Sequence, residues 1–199
     1  MVIDAILLKK EFEIVGIIDL KEKVGKKVLG IPIIGVDNDL EKYFQMKIKA
    51  CFITVGTIGD ASLRIKLFNK ARKIGFRFFN VIHPNSTVSK FARLGEGNYI
   101  AALAVINAGT IVGDNCIINT GAVIEHDCFI DDFVHIAPGA MVSGGTTIGK
   151  CTHIGVGSSV VQSVKIGRNS IIGAGSVVVD NIPDHVVAYG NPCRVVSQN

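Results

Sequence analysis

The sequence predicts a small α/β domain joined to a repetitive domain of short β-strands. Three observations carry that prediction. An aliphatic residue recurs every six positions through the second half of the chain, short β-prone and helical segments alternate through the first part, and 48% of the 199 residues are hydrophobic, enough to bury a core. The expected divisions are 1–80 for the α/β domain, 81–182 for the repeat and 183–199 for a tail that caps it.

In the first part, segments 13–19 (EIVGIID), 50–56 (ACFITVG) and 77–82 read as strands, and 37–46 and 60–74 as helices. That alternation suits a small Rossmann-like parallel sheet. Asp19 and Gly56 close two of the strands. An acid and a glycine there fit a nucleotide held at the carboxyl ends of a parallel sheet, and equally fit two ordinary turns. Lys23, Lys26 and Lys27 follow as a solvated basic loop that would favour an acidic ligand.

In the second part, stepping by six from Ile82 to Val178 meets seventeen aliphatic residues in succession, without an insertion. In a chain about a third Ile, Leu and Val, such a run has a chance probability on the order of one in a billion. The fourth position after each anchor is mostly small, as at Ala104, Cys116, Ala122, Cys128, Ala140 and Ser158, which suits a crowded interior. Gly or Asn recurs at the third, as at Gly109, Asn115, Gly121 and Gly145, where a sharp corner needs positive φ. Each hexad is therefore a short strand and a corner. Neither the helical period nor the alternation of a long amphipathic strand fits.

Other classes are excluded by composition. A net charge of +4 without a basic stripe interleaved with aromatics argues against nucleic-acid binding. No apolar run approaches the length of a membrane span, and the expected location is the cytoplasm. Five cysteines without a C-x-x-C pair argue against a disulfide framework or a thiolate zinc site. Cys116 and Cys128 fall at interior positions of the hexads, and Cys193 has no predictable base beside it.

The hexad pattern resembles the hexapeptide-repeat transferases. That resemblance implies a left-handed β-helix of triangular section with three hexads per coil, a homotrimer, and active sites between adjacent prisms. Together with the preceding α/β domain, the chain resembles the bacterial sugar acetyltransferases related to the sialic acid O-acetyltransferases and UDP-4-amino-sugar N-acetyltransferases. The implied reaction moves acetyl from acetyl-CoA to an amino or hydroxyl group of a sugar, often nucleotide-linked, with no metal. The family opens with a strand and a glycine-rich turn ahead of a helix resembling residues 2–8, whereas this sequence begins inside that helix. A late start and a lost strand are the two readings, and the second predicts a weakened acceptor pocket.

Acetyl transfer needs a group to take the acceptor proton, which imidazole does well near neutral pH. His83, His126, His135, His153 and His185 are the candidates. His126 stands two places after the anchor Ile124, in 124–130 (IEHDCFI), so its side chain should leave the prism surface. Spacing alone leaves it between a general base and a solvated surface pair with Asp127. The segment matches the family motif, which implies His126 as base and Asp127 as the acid that raises its basicity. The same resemblance implies acetyl-CoA contacts at His135, Val156 and Ala174, and acceptor contacts at Asp19, Leu20 and Gly56. His135 and His153 share a hexad position 18 residues apart and should stack on successive coils, with His153 exposed. The tail segment 188–194 (AYGNPCR) resembles the one that follows the prism in CoA-dependent members, which makes Arg194 a candidate for a CoA phosphate.

Two competitors remain. The γ-type carbonic anhydrases share the prism and hold zinc through three histidines, two of them about five residues apart, a spacing no His pair here has. A non-enzymatic β-helix would leave the attached α/β domain and the EHD segment without a purpose.

Overall fold

The computed structural model describes residues 1–56 and 58–199. Helix α1 (Val2–Lys9) ends where Lys10 turns left-handed at φ 56°, and it buries Ala5 and Ile6 against Val81, Tyr99 and Ala101 of the prism. Strand β1 (Ile17–Ile18) pairs in parallel with the last of three strands, and β2 (Lys27–Val28) and β3 (Ile31–Gly35) form an antiparallel hairpin, giving the order β1-β3-β2. Leu29 and Gly30, at φ 48° and 82°, supply the two positive-φ residues of a tight hairpin turn. Helix α2 (Leu40–Gln45) follows a 3-10 turn at Asp37–Asp39. Strand β4 (Ala50–Cys51) then pairs in parallel with β5 (Arg77–Phe78) across helix α3 (Ser62–Ile74).

The expected α/β domain with parallel strand pairing is present. Among the described residues its sheet forms as two separate pieces, β1-β3-β2 and β4-β5, and the segment 27–35 is a hairpin that the sequence pattern does not separate from its basic loop. The expected strand at 77–82 divides, because Ile82 already pairs with Ile100 and so belongs to the repeat. Helix α3 starts two residues later than expected, since the Asp60 carboxylate accepts hydrogen bonds from the Ser62 N–H and Oγ (2.8 and 2.9 Å). It stops at Gly75, whose φ of 109° places it at the left-handed cap position.

Arg64, Phe68 and Ala71 recur on one face of α3 and are its buried residues. Phe68 stacks on Phe78 (4.2 Å between centroids) and meets Phe133 edge-on (5.5 Å), pinning the helix to a corner of the prism. Arg64 is fully buried and donates to the Asn115 carbonyl. Burial pulls its pKa down to about 10, so the guanidinium remains charged at neutral pH. Arg72 completes the joint with ion pairs to Glu96 and Asp114.

The repeat folds as a parallel β-helix of two-residue strands, from β6 (Val81–Ile82) to β22 (Val177–Val178). Each strand ends on one of the predicted anchors, and every strand pairs with the one eighteen residues away. Three faces result. The first holds β6, β9 (Tyr99–Ile100), β12 (Ile117–Ile118), β15 (His135–Ile136), β18 (His153–Ile154) and β21 (Ile171–Ile172), the second β7 (Thr87–Val88) through β22, and the third β8 (Arg93–Leu94) through β20 (Lys165–Ile166), each at every third strand. The anchors from Ile100 to Val178 are buried and stack into one apolar column with the small residues at position four. Side chains at the corners cap backbone N–H groups of the neighbouring coil: Asn98 Oδ1 accepts from Cys116 N (2.6 Å), and Asp132 Oδ1 from Asp114 N (2.9 Å).

From residue 97 to residue 175 the third position after the anchor is left-handed, but Gly and Asn do not hold it alone. Leu103, Asp127, Phe133, Cys151 and Ser163 occupy it at φ between 57° and 61°. Beyond β22, β23 (Val186–Gly190) rejoins the first face beside β21, and β24 (Cys193–Gln198) turns back antiparallel to it.

The interior column makes a direct prediction. Ile154 is fully buried in it, so Ile154→Ala should cost about 2–5 kcal/mol of stability. Urea unfolding followed by circular dichroism measures this, and an unchanged midpoint would mean that the column does not hold the coils together.

Candidate active site

Strand β13 (Val123–Ile124) lies on the second face, and the chain leaves it through the corner 125–127 toward the third. Ile124 is buried in the column, so Glu125, His126 and Asp127 are thrown outward. His126 Nδ1 lies 2.8 Å from Asp127 Oδ2. A carboxylate only accepts, so Nδ1 carries the proton and Nε2 is left with its lone pair. This is the tautomer a base needs. Both side chains are open, 65% and 72% exposed, so the pair is available to a ligand or a neighbouring chain. Asp127 occupies the left-handed corner position at φ 57°, a conformation that Asp tolerates better than most residues. Beside the pair, Asn107 Nδ2 donates to Glu125 Oε2 (3.0 Å) from the coil before.

His135 opens β15 (His135–Ile136) and His153 opens β18 (His153–Ile154), both on the first face. Their rings meet at 4.8 Å between centroids and 72° between planes. Asn119 Nδ2 lies 3.3 Å from His135 Nε2, and because Asn119 Oδ1 accepts from Thr120 N, the amide is oriented to donate to the ring. His153 corrects the sequence expectation. It is buried, and its Nδ1 has no partner among the described residues. The neighbouring Ile171 on this face lies under the loop at Gly59, where a Cβ on the glycine would stand 3.0 Å from its Cδ1. Burial, and then the neighbouring His135, push the His153 pKa down to about 4.

Val156 and Ala174 are exposed and eighteen residues apart, at the corner between the first and second faces. The Val156 carbonyl accepts from Gly175 N (2.8 Å). Arg194 is committed within the chain, its guanidinium 3.0 Å from Asp180 Oδ2. Asp19 accepts from the Leu20 N–H (2.7 Å) and pairs with Lys23 (3.0 Å); the Leu20 bond, then Lys23, holds its carboxyl below the usual range. Gly56 is exposed, with nothing within 4 Å of where a Cβ would stand. A cavity of about 550 Å³ opens just beyond it, between Ile58, Asp60 and Ser62 on one side and Cys151, Asn169 and Ile171 on the other.

The fold therefore brings His126 to Asp127 and His135 to His153, but keeps the two groups apart. Within one chain the second face separates the His126 corner from the corner of Val156 and Ala174. The remaining histidines are placed differently: His83 is buried and its Nδ1 accepts from Asn85 N (3.1 Å), and His185 lies in the tail. Cys116, Cys128 and Cys193 are buried, and burial raises their thiols, Cys116 to about 12, so none is a ready thiolate. No group of three or more His, Cys, Asp or Glu among the described residues is arranged to hold a metal ion. No described helix is long and apolar enough to cross a membrane. Sequence reasoning missed Asn107 and Asn119, which a step of eighteen residues from Glu125 and a step of sixteen from His135 would have found.

The buried His153 sets a pH dependence. The unfolded chain takes up a proton near pH 6.5 and the folded one only near 4, so between those values the unfolded state binds more protons and stability falls as pH falls. The urea midpoint should decline across this window, and His153→Gln should flatten the decline relative to wild type. Parallel curves for the two proteins would contradict a buried neutral imidazole.

Comparison with known proteins fits this geometry. Residues 1–71 match the PglD N-terminal domain, and residues 91–126 and 145–180 match the bacterial transferase hexapeptide family (six repeats). PerB from Caulobacter crescentus, solved in complex with CoA and GDP-perosamine, is 39% identical over 98% of this chain and 91% of its own, with a TM-score of 0.91. The acetyltransferase domain of PglB from Neisseria gonorrhoeae FA1090, in complex with acetyl coenzyme A, is 34% identical over 98% and 92%, with a TM-score of 0.88. WeeI from Acinetobacter baumannii AYE is 25% identical over 96% and 91%, with a TM-score of 0.80. No curated protein sequence matches the chain. With a PglD-type N-terminal domain ahead of a hexapeptide-repeat prism, and with such relatives across nearly its whole length, the chain belongs to the bacterial sugar acetyltransferases.

Proposed function

We propose that the protein transfers acetyl from acetyl-CoA to the amino or hydroxyl group of a nucleotide-linked sugar or a sialic acid, for bacterial surface glycans, with His126 as general base and Asp127 as its partner. The observation that carries the reading is the 2.8 Å bond from His126 Nδ1 to Asp127, which leaves Nε2 free to accept a proton. The acceptor nitrogen or oxygen attacks the thioester carbonyl while Nε2 takes its proton. The tetrahedral adduct then collapses, the C–S bond breaks, and the proton passes to the departing CoA thiolate. Asp127 orients the ring and offsets the charge of the imidazolium that forms.

A homotrimer would answer the separation of the two groups of candidate residues. It would set the His126 corner of one prism against the corner of Val156 and Ala174 on the next, with His135 on the adjoining face. The α/β domain, through Asp19, Leu20 and Gly56, would present the acceptor, and Arg194 would exchange Asp180 for a CoA phosphate. The CoA and GDP-perosamine bound to PerB support a nucleotide-linked amino sugar as the acceptor class. The reading assigns the reaction to the cytoplasm, the compartment that holds its donor.

Calorimetric titration of acetyl-CoA into the purified protein should give one site per chain. His126→Ala should keep that binding while kcat falls by about 100- to 10,000-fold. Turnover that survives in the variant would remove His126 from the mechanism, and absence of acetyl-CoA binding would overturn the reading as a whole.

A further inference from the structure

We infer that Gly144 is a positioning residue for His126, its missing side chain leaving the slot in which the imidazole lies. The inference rests on the reading of His126 as the base and goes beyond it to a residue one coil away. Strand β13 pairs with β16 (Met141–Val142), Ile124 opposite Val142, so the two corners stack and Gly144 falls beneath His126. The stack is tight: Gly145 N donates to the His126 carbonyl at 2.9 Å. The residues at this corner position, coil by coil, are Lys90, Ala108, His126, Gly144, Gln162 and Asp180, so the column contains one glycine, and it lies next to the histidine.

A Cβ at residue 144 would stand 2.7 Å from both Cε1 and Nε2 of His126 and 3.2 Å from Cδ2. Carbon contacts settle at about 3.5–4.0 Å, so the ring would have to leave. The atoms most closely approached include Nε2, the nitrogen that takes the proton. Backbone conformation gives no other reason for the glycine. Gly144 is outside the left-handed region, whereas its neighbour Gly145, at φ 68°, serves the corner turn. Alanine is therefore conformationally acceptable at 144, and its first cost is displacement of the imidazole. On the opposite side of the pair, the Asp127 carboxylate lies against Gly109, where a Cβ would collide with Oδ1. That glycine also turns a corner at φ 75°, so a substitution there would mix two effects.

The test compares wild type, Gly144→Ala, His126→Ala and the double variant, with acetyl-CoA and GDP-perosamine as substrates. Gly144→Ala should lower kcat about 100-fold, the cost of moving a catalytic group by about 1 Å, while KM for acetyl-CoA and the melting temperature stay at the wild-type values. In the His126→Ala background the same substitution should cost nothing further, because the ring it displaces is gone. A crystal structure of Gly144→Ala should show the Nδ1–Asp127 bond broken, a readout that decides the matter even if wild type does not turn over GDP-perosamine. Positioning by Gly144 is overturned by unchanged kcat in the single variant, by losses that multiply in the double variant, or by an imidazole still in place in the crystal. His126→Ala with full turnover overturns the base reading and the positioning role with it. An inactive His126→Ala beside an active Gly144→Ala overturns the positioning role alone.

Discussion

The prism is governed by one constraint: a coil takes eighteen residues, and the aliphatic anchor at every sixth position must enter the same interior column. Burial of each anchor fixes the strand that ends on it, the strand fixes the corner that follows, and parallel pairing fixes the coil above. A residue inserted within a strand would displace that strand's anchor from the column, at about 1.5–3 kcal/mol for a lost buried side chain. Surface chemistry inherits this rigidity. Every outward side chain has a fixed neighbour eighteen residues away in each direction, so Asn107 meets Glu125, His135 meets His153, and the slot under His126 is decided by residue 144.

This explains how much of the molecule is legible in the sequence. Local and periodic features are. The seventeen anchors become seventeen strands because their burial is dictated by a repeat that needs no long-range information. The His126–Asp127 contact is legible too, since the two residues are adjacent and a corner throws both outward. What escapes depends on packing between coils or between the two domains. His153 reads as an exposed residue of its hexad, and is buried between His135 and Ile171 of the adjacent coils. Arg64 reads as an ordinary charged position in a helix, yet it is fully buried at the joint with the prism. The hairpin at 27–35 hides behind Leu29-Gly30, a turn pair without the usual Asn or Asp.

The α/β domain and the prism thus follow different logics. In the prism, hydrogen bonds and burial repeat, and a strand of two residues suffices because it is paired on both sides by identical neighbours. In the α/β domain, ladders of the same length stand in small separate sheets, and order comes from aromatic packing of Phe68, Phe78 and Phe133 and from α1 against Tyr99. The α/β domain is therefore oriented by side-chain contacts with the prism, which tie its position to the same eighteen-residue register.

The exposure of the His126–Asp127 pair bears on how it works. A hydrogen-bonded pair with both partners more than half exposed adds little stability, because water competes for the same donor and acceptor. Asp127 adjoins His126 in the chain and is set by its corner, and the imidazole is confined by the coil beneath, so the geometry does not depend on the strength of the bond. Electrostatic support for a forming imidazolium grows once water is excluded, since the same carboxylate at 2.8 Å acts more strongly in a low dielectric. On the proposed function, a pair shaped by backbone and sterics in the open chain would be strengthened when donor, acceptor and an adjacent prism close over it, and would be preorganised without the cost of burying charge in advance.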